Sequence, residues 1–120
     1  MSGRVIVASG YFNPIHSGHL DYLEEARRRG DYLIVIVNSD LQAKLKKGDS
    51  FMNQEDRMRI VSALKCVDEV FLSIDKDKSQ CESLREINPN IFAKGGDRTS
   101  GAIPESNVCN ELGIQIIDGL

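Results

Sequence analysis

The sequence predicts an α/β domain: a parallel sheet of five strands in the order 3-2-1-4-5, with helices on both faces. Two observations carry that reading. Apolar runs of strand length alternate with helical patterns through the 120 residues, as in successive strand–helix–strand units. Runs such as Val5-Ile6-Val7-Ala8 and Tyr32 to Val37 are also continuously apolar, which suits strands covered on both faces, hence parallel pairing with right-handed crossovers. A chain of this length forms one domain and buries roughly two thirds of its unfolded surface.

Arg4 to Ala8 is the first strand, and a turn follows: Gly10-Tyr11-Phe12-Asn13-Pro14-Ile15-His16-Ser17-Gly18-His19. Gly10 takes backbone angles closed to other residues where the strand ends, and Pro14 fixes the chain direction before the helix. Ser17 is the expected N-cap. The helix Leu20 to Arg29 turns Leu20, Tyr22, Leu23 and Ala26 inward and exposes its charged residues. His16 and His19, three apart, then share one side of its first turn, where unpaired N–H groups and the helix dipole favour an anion. Gly18 leaves room for a phosphate to approach the backbone. Arg27 to Arg29 complement the helix C-terminus as a solvated end, and Gly30 stops it.

The second strand, Tyr32 to Asn38, leads into Ser39-Asp40 and then a segment carrying Lys44, Lys46 and Lys47. Ligands of open α/β sheets bind beyond the carboxyl ends of the strands. This segment reads as a mobile basic loop beside the histidine turn. Asn53 is the expected N-cap of the helix Gln54 to Lys65, with acidic residues in its first turn. Arg57, one turn in, reaches a phosphate or pairs with Glu55 or Asp56 on the surface. Val67-Asp68-Glu69-Val70 opens the strand Glu69 to Ser73, and Ser73 to Gln80 reads as a solvated loop whose charges largely cancel. The helix Ser79 to Ile87 and the turn Asn88-Pro89-Asn90 precede the strand Ile91 to Lys94. Gly95 and Gly96 let the backbone approach a flat base or ribose, and Asp97 is placed to accept from ribose hydroxyls. Pro104 to Leu112 is the last helix and Ile114 to Ile117 the last strand.

With 28% charged residues and a formal net charge of -3, the balance does not suggest a nucleic-acid or anionic-membrane partner. The longest apolar runs fall far short of the roughly twenty residues needed to cross a bilayer. The first residues lead straight into a strand, so no signal peptide is expected. Cys66, Cys81 and Cys109, odd in number and widely spaced, read as reduced packing thiols of a cytoplasmic protein. No cluster of carboxylates announces a metal site of the protein's own.

The run Gly10-Tyr11-Phe12 with His16-Ser17-Gly18-His19 resembles the HxGH signature, G-x-F-D-x-x-H-x-G-H, of the cytidylyltransferase-like nucleotidyltransferases. Asn13 departs from the usual aspartate, and Asn13-Pro14 is similar to nicotinamide mononucleotide adenylyltransferases. Further blocks resemble adenylyltransferases acting on heptose 1-phosphate: Asn38-Ser39-Asp40, Lys47-Gly48-Asp49-Ser50, Asn53 to Met58, Val67 to Val70 and Lys94-Gly95-Gly96-Asp97. Glycerol-3-phosphate cytidylyltransferases and archaeal FAD synthetases look similar. The resemblance covers nearly the whole chain and implies a Rossmann-like fold. Members follow the last strand with a Ser/Thr-rich segment and a final helix, whereas this sequence stops at Asp118-Gly119-Leu120. The resemblance reads that as a chain cut short.

What the resemblance implies is transfer of a nucleoside monophosphate from a triphosphate, ATP in preference to CTP, to a phosphate-bearing acceptor, with release of pyrophosphate. His16 and His19 then hold α- and β-phosphate oxygens and Lys44 lies beside the leaving pyrophosphate. Gly10, Tyr11, Phe12, Asn13, Gly18, Lys47, Arg57, Gly95, Gly96 and Asp97 bind the nucleotide. Mg²⁺ arrives with the triphosphate, and a homodimer is implied. Competing readings are a nicotinamide mononucleotide adenylyltransferase, an FAD synthetase, and a nucleotide-binding module without catalysis.

Overall fold

The computed structural model describes residues 3–12, 15–47, 52–94 and 104–117. Its elements run β1 (Val5–Gly10), α1 (Ser17–Arg28), β2 (Tyr32–Val37), α2 (Asp40–Lys47), α3 (Gln54–Ser62), β3 (Glu69–Leu72), α4 (Cys81–Ile87), β4 (Ile91–Ala93), α5 (Ser106–Leu112) and β5 (Gln115–Ile117). The sheet is ordered β3-β2-β1-β4-β5 and every neighbouring pair is parallel, as expected from the apolar runs. β1 is central, pairing Val5 to Gly10 with Tyr32 to Val37 on one side and Ile6 to Ala8 with Ile91 to Ala93 on the other. The chain moves outward from β1 in one direction and later in the other. A crevice therefore opens at the carboxyl ends of β1 and β4.

Strand alternation sorts the core into two layers. Ile6 and Ala8 of β1, with Leu33, Val35 and Val37 of β2, pack against Leu23 and Ala26 of α1 and Val61 of α3. Val7, Ile34 and Ile36 point the other way, toward Leu84 of α4 and Val108 of α5. Adjacent apolar positions are thus buried on opposite faces, which is why the strands read as unbroken hydrophobic runs. Cys109 is buried, Cys66 and Cys81 half-buried, and all three are free thiols. Burial raises the pKa of each, that of Cys109 to about 11, so they act as packing groups.

Two expected loops are more ordered than their polar composition suggests. The segment carrying Lys44 is helix α2: its own Gln42 and Ala43 are buried, and Ser39 Oγ accepts from the Gln42 N–H at 3.2 Å at its start. Ser73 to Gln80 is not simply solvated either. Asp75 is only 4% exposed; its carboxylate accepts from the Glu82 N–H at 2.8 Å, the Ser83 N–H at 2.9 Å and the Ser83 hydroxyl at 2.7 Å. It satisfies the first turn of α4 from the preceding loop. The helix expected over Gln54 to Lys65 ends at Ser62.

Candidate functional site

The turn between β1 and α1 is closed by its two histidines. His16, not Ser17, is the N-cap: its Nδ1 accepts from the Gly18 N–H at 3.1 Å, while His19 Nδ1 accepts from the His16 N–H at 3.0 Å. This is the reciprocal arrangement of a capping box, built from imidazoles instead of a hydroxyl and a carboxyl. The rings stack with centroids 3.9 Å apart and planes at 27°. With each Nδ1 accepting a backbone N–H, each neutral ring carries its proton on Nε2. Burial first, and the neighbouring His16 second, pull the His19 pKa below the ordinary 6.5. The pair therefore offers two N–H donors at the positive end of a twelve-residue helix. The room expected beside Gly18 is taken by the His16 ring, since a Cβ there would stand 2.9 Å from its Cε1.

Phe12 sets the position of His19. It is 1% exposed and meets the His19 ring edge-on, centroids 5.1 Å apart at 70°. To do so its backbone takes φ of 52°, a conformation costing about 1–3 kcal/mol for a non-glycine residue. Its ring also lies over Gly10, where a Cβ would be 2.8 Å from Phe12 Cζ. Tyr22 of α1 fastens the other side. Its hydroxyl donates to the Ala93 carbonyl at 2.7 Å and accepts from the Ser9 N–H at 3.2 Å, joining the ends of β1 and β4. Burial holds that phenol well above its usual pKa, so it stays a donor.

Arg57 does not lie on the surface with Glu55 or Asp56. It is 1% exposed, and its guanidinium donates to the carbonyls of Met52 at 2.9 Å, Tyr11 at 2.8 Å and Asn38, and to Asp40 Oδ1 at 2.8 Å. The turn after β1, the end of β2, the start of α2 and the approach to α3 meet on one side chain. Those bonds correct the expectation of direct phosphate contact: Arg57 positions the elements around the site.

On the α4/α5 side of the same carboxyl edge is a cleft of about 550 Å³, lined by Ser9, Gly10 and Tyr11, by Asn38, by Asp77 to Gln80, and by Lys94, Pro104 and Glu105. Asn38, Gln80 and Glu105 are 1%, 4% and 3% exposed. The Gln80 N–H donates to Glu105 Oε2 at 2.7 Å. Asn38 Nδ2, Gln80 Oε1 and Glu105 Oε1 are buried without any hydrogen-bond partner.

Of the residues singled out from sequence, His16, His19, Gly10, Tyr11, Phe12, Gly18 and Arg57 come together around one turn. Lys44 is exposed on α2, which Lys47 closes, and α2 joins the turn through the Asp40–Arg57 pair. Asn13, Gly95, Gly96 and Asp97 lie outside the described residues. Sequence reasoning missed Asn38, Tyr22, Gln80 and Glu105 as individual site residues. A polar residue ending the apolar run of β2 was a signal for Asn38; Gln80 and Glu105, within polar segments, gave none. Among the described residues no group of three His, Cys, Asp or Glu side chains is arranged to hold a metal ion, and no helix is long and apolar enough to cross a membrane.

The chain is similar in sequence to the bifunctional protein HldE of Streptomyces coelicolor, 38% identical over 117 residues, which are 96% of this chain and 25% of that protein. It is 44% identical over 96 residues to the HldE of Photorhabdus laumondii, covering 78% of this chain and 20% of that one. It thus spans a quarter or less of the length of these curated relatives. Its fold is shared with the crystal structure of the lipopolysaccharide core biosynthesis protein from Thermoplasma volcanium, at a TM-score of 0.84 and 24% identity, over 99% of this chain and 98% of that one. Residues 7–115 match the family described as cytidylyltransferase-like. That match runs from the middle of β1 to the start of β5, and on it, with relatives above 30% identity across most of its length, the chain belongs to the cytidylyltransferase-like nucleotidyltransferases.

Proposed function

We propose that the chain transfers a nucleoside monophosphate, AMP in preference to CMP, from its triphosphate to a phosphorylated acceptor such as heptose 1-phosphate, releasing pyrophosphate. The observation that carries this reading is the histidine capping box, which frees two Nε2–H groups at the N-terminus of α1. An oxygen of the acceptor's phosphate attacks the α-phosphorus, the bond from that phosphorus to the bridging oxygen breaks, and pyrophosphate departs. A phosphate monoester is already anionic near neutral pH, so no general base is needed. Catalysis then rests on positioning and on stabilising negative charge as it redistributes.

His16 and His19 act as neutral donors to α- and β-phosphate oxygens in this scheme. Their Nδ1 atoms are held by the backbone, so neither ring has to reorient as charge moves. Phe12 and Gly10 fix the plane of His19, Arg57 holds the turn to β2 and α2, and Lys44 balances the leaving pyrophosphate. Mg²⁺ bound to the triphosphate would neutralise phosphate charge and enter with the nucleotide. Asn13, Gly95, Gly96 and Asp97 contact the nucleotide in the same reading, in a homodimer working in the cytoplasm.

The test is pyrophosphate release from ATP and from CTP with heptose 1-phosphate, glycerol 3-phosphate, FMN and nicotinamide mononucleotide in turn. The highest kcat/KM is expected for ATP with heptose 1-phosphate. Nucleotide binding without pyrophosphate release for any acceptor would leave a binding module and overturn the reading.

A further inference from the structure

We infer that Tyr22 is a positioning residue for the reacting histidines: its hydroxyl, bonded to the ends of two strands, fixes the roll and axial position of α1 and with them the place of the His19 ring. This deepens the nucleotidyl-transfer reading and rests on it for the part played by His19. The hydroxyl donates to the Ala93 carbonyl at 2.7 Å and accepts from the Ser9 N–H at 3.2 Å. Those two groups stand where the sheet divides. β1 pairs with β4 as far as Ala8 and Ala93, and it runs on with β2 through Ser9 and Gly10. The helix that carries the histidines is thus bonded to both strands at the point where they part.

Packing alone does not ask for a phenol here. Leu23 and Ala26 of α1 are fully buried, and Tyr22 lies partly buried against the same core layer, where a phenylalanine ring would fill the space equally. The oxygen adds two oriented bonds to backbone groups whose positions the sheet already sets. Burial raises the pKa of the phenol above its ordinary value, so the bond to Ala93 is not lost through ionisation near neutral pH.

His19 and Tyr22 are three residues apart in α1 and share one side of it about a turn apart. The capping bonds of His16 and His19 lie within the start of the helix; they fix the rings to α1, not α1 to the sheet. The edge-on contact of His19 with Phe12, centroids 5.1 Å apart, and the apolar packing of Leu23 and Ala26 have no bond direction and tolerate sliding. The Tyr22 hydroxyl supplies the direction. A helix bonded to two strand ends one turn beyond His19 neither rolls nor slips beneath that ring. The proposed chemistry needs such rigidity, since misplacing a catalytic group by about 1 Å costs about a hundredfold in rate.

The test is Tyr22→Phe, which keeps the ring and its packing, with circular dichroism to check the fold. With ATP and the acceptor that turns over fastest, kcat is expected to fall about tenfold. KM for ATP is expected to stay within about twofold, because the histidine donors count most as charge develops in the transition state. In a His19→Gln background the same change is expected to alter kcat by less than about twofold, since the ring it positions is gone. The sequence holds two histidines, His16 and His19, so their ring resonances are readable by NMR without turnover. The His19 midpoint, held below 6.5, is expected to rise toward that value in Tyr22→Phe as the ring loosens. Wild-type kcat in the folded variant, an equal fall in both backgrounds, or an unmoved His19 titration overturns the inference and leaves Tyr22 a stabilising tie, seen only as a lower urea midpoint. Should the wild type release no pyrophosphate with any acceptor, the proposed reaction fails by itself and the His19 titration decides on Tyr22.

Discussion

His16 and His19 cap one another: the backbone N–H of His16 is bonded to the ring of His19 at 3.0 Å, and their rings stack at 3.9 Å. Structure and proposed chemistry therefore sit on the same atoms, and the two roles separate by the choice of substitution. Glutamine serves at the third helical position of a capping box and asparagine serves as an N-cap. His19→Gln and His16→Asn are expected to stay within about 0.5 kcal/mol of wild type in urea unfolding, while kcat falls by about a hundredfold or more. Alanine at either position should lose about 1 kcal/mol besides. Near-normal turnover in the glutamine or asparagine variant would remove the histidines from the reaction.

Acidity acts on the same pair. The His19 pKa is held below 6.5 by burial and then by His16, so the folded protein binds fewer protons there than the unfolded chain. The stability contributed by the neutral ring is complete above about pH 6.5 and is lost as pH falls through the lowered value. Urea midpoints measured for wild type and His19→Gln should run parallel above neutrality. Below about pH 6.5 the wild-type curve should fall the more steeply. Parallel curves throughout would show that His19 titrates normally.

Arg57→Ala removes the buried partner of Asp40 and leaves the carbonyls of Tyr11, Asn38 and Met52 without their donor. A loss of about 3–5 kcal/mol is expected in chemical denaturation. Arg57→Lys restores the charge but not the planar fork, and it should recover less than half of that loss.

Gly10→Ala puts a methyl group 2.8 Å from Phe12 Cζ and should cost about 1–3 kcal/mol. Adding Phe12→Leu, which shortens the obstructing side chain, should recover part of it. A double-mutant cycle is expected to give a coupling of at least about 0.5 kcal/mol. Additive effects would mean that the two residues do not share that space.

How far the site was legible in the sequence depends on whether a residue's role is local. Parallel pairing and helices on both faces followed from continuous apolar runs such as Tyr32 to Val37, because burial on both faces leaves that signature. The histidine pair was visible because its spacing is a helix-turn spacing, although its capping bonds were not: imidazole nitrogens replace the hydroxyl that made Ser17 the expected cap. Arg57 read either as a phosphate ligand or as a surface partner of Glu55 or Asp56. Its partners come from 46 and 19 residues away in the chain, and no local pattern encodes them. Asp75 misled for the same reason, its carboxylate turned inward onto the Glu82 and Ser83 N–H groups.

Gln42 is fully buried, and its amide donates to the carbonyls of Asp77 at 2.8 Å and Ser79 at 3.0 Å. The helix that bears Lys44 is thereby riveted to one wall of the cleft. Neither part can swing without dragging the other, so the spot where the lysine hovers is inherited from whatever wedges that wall open or lets it relax.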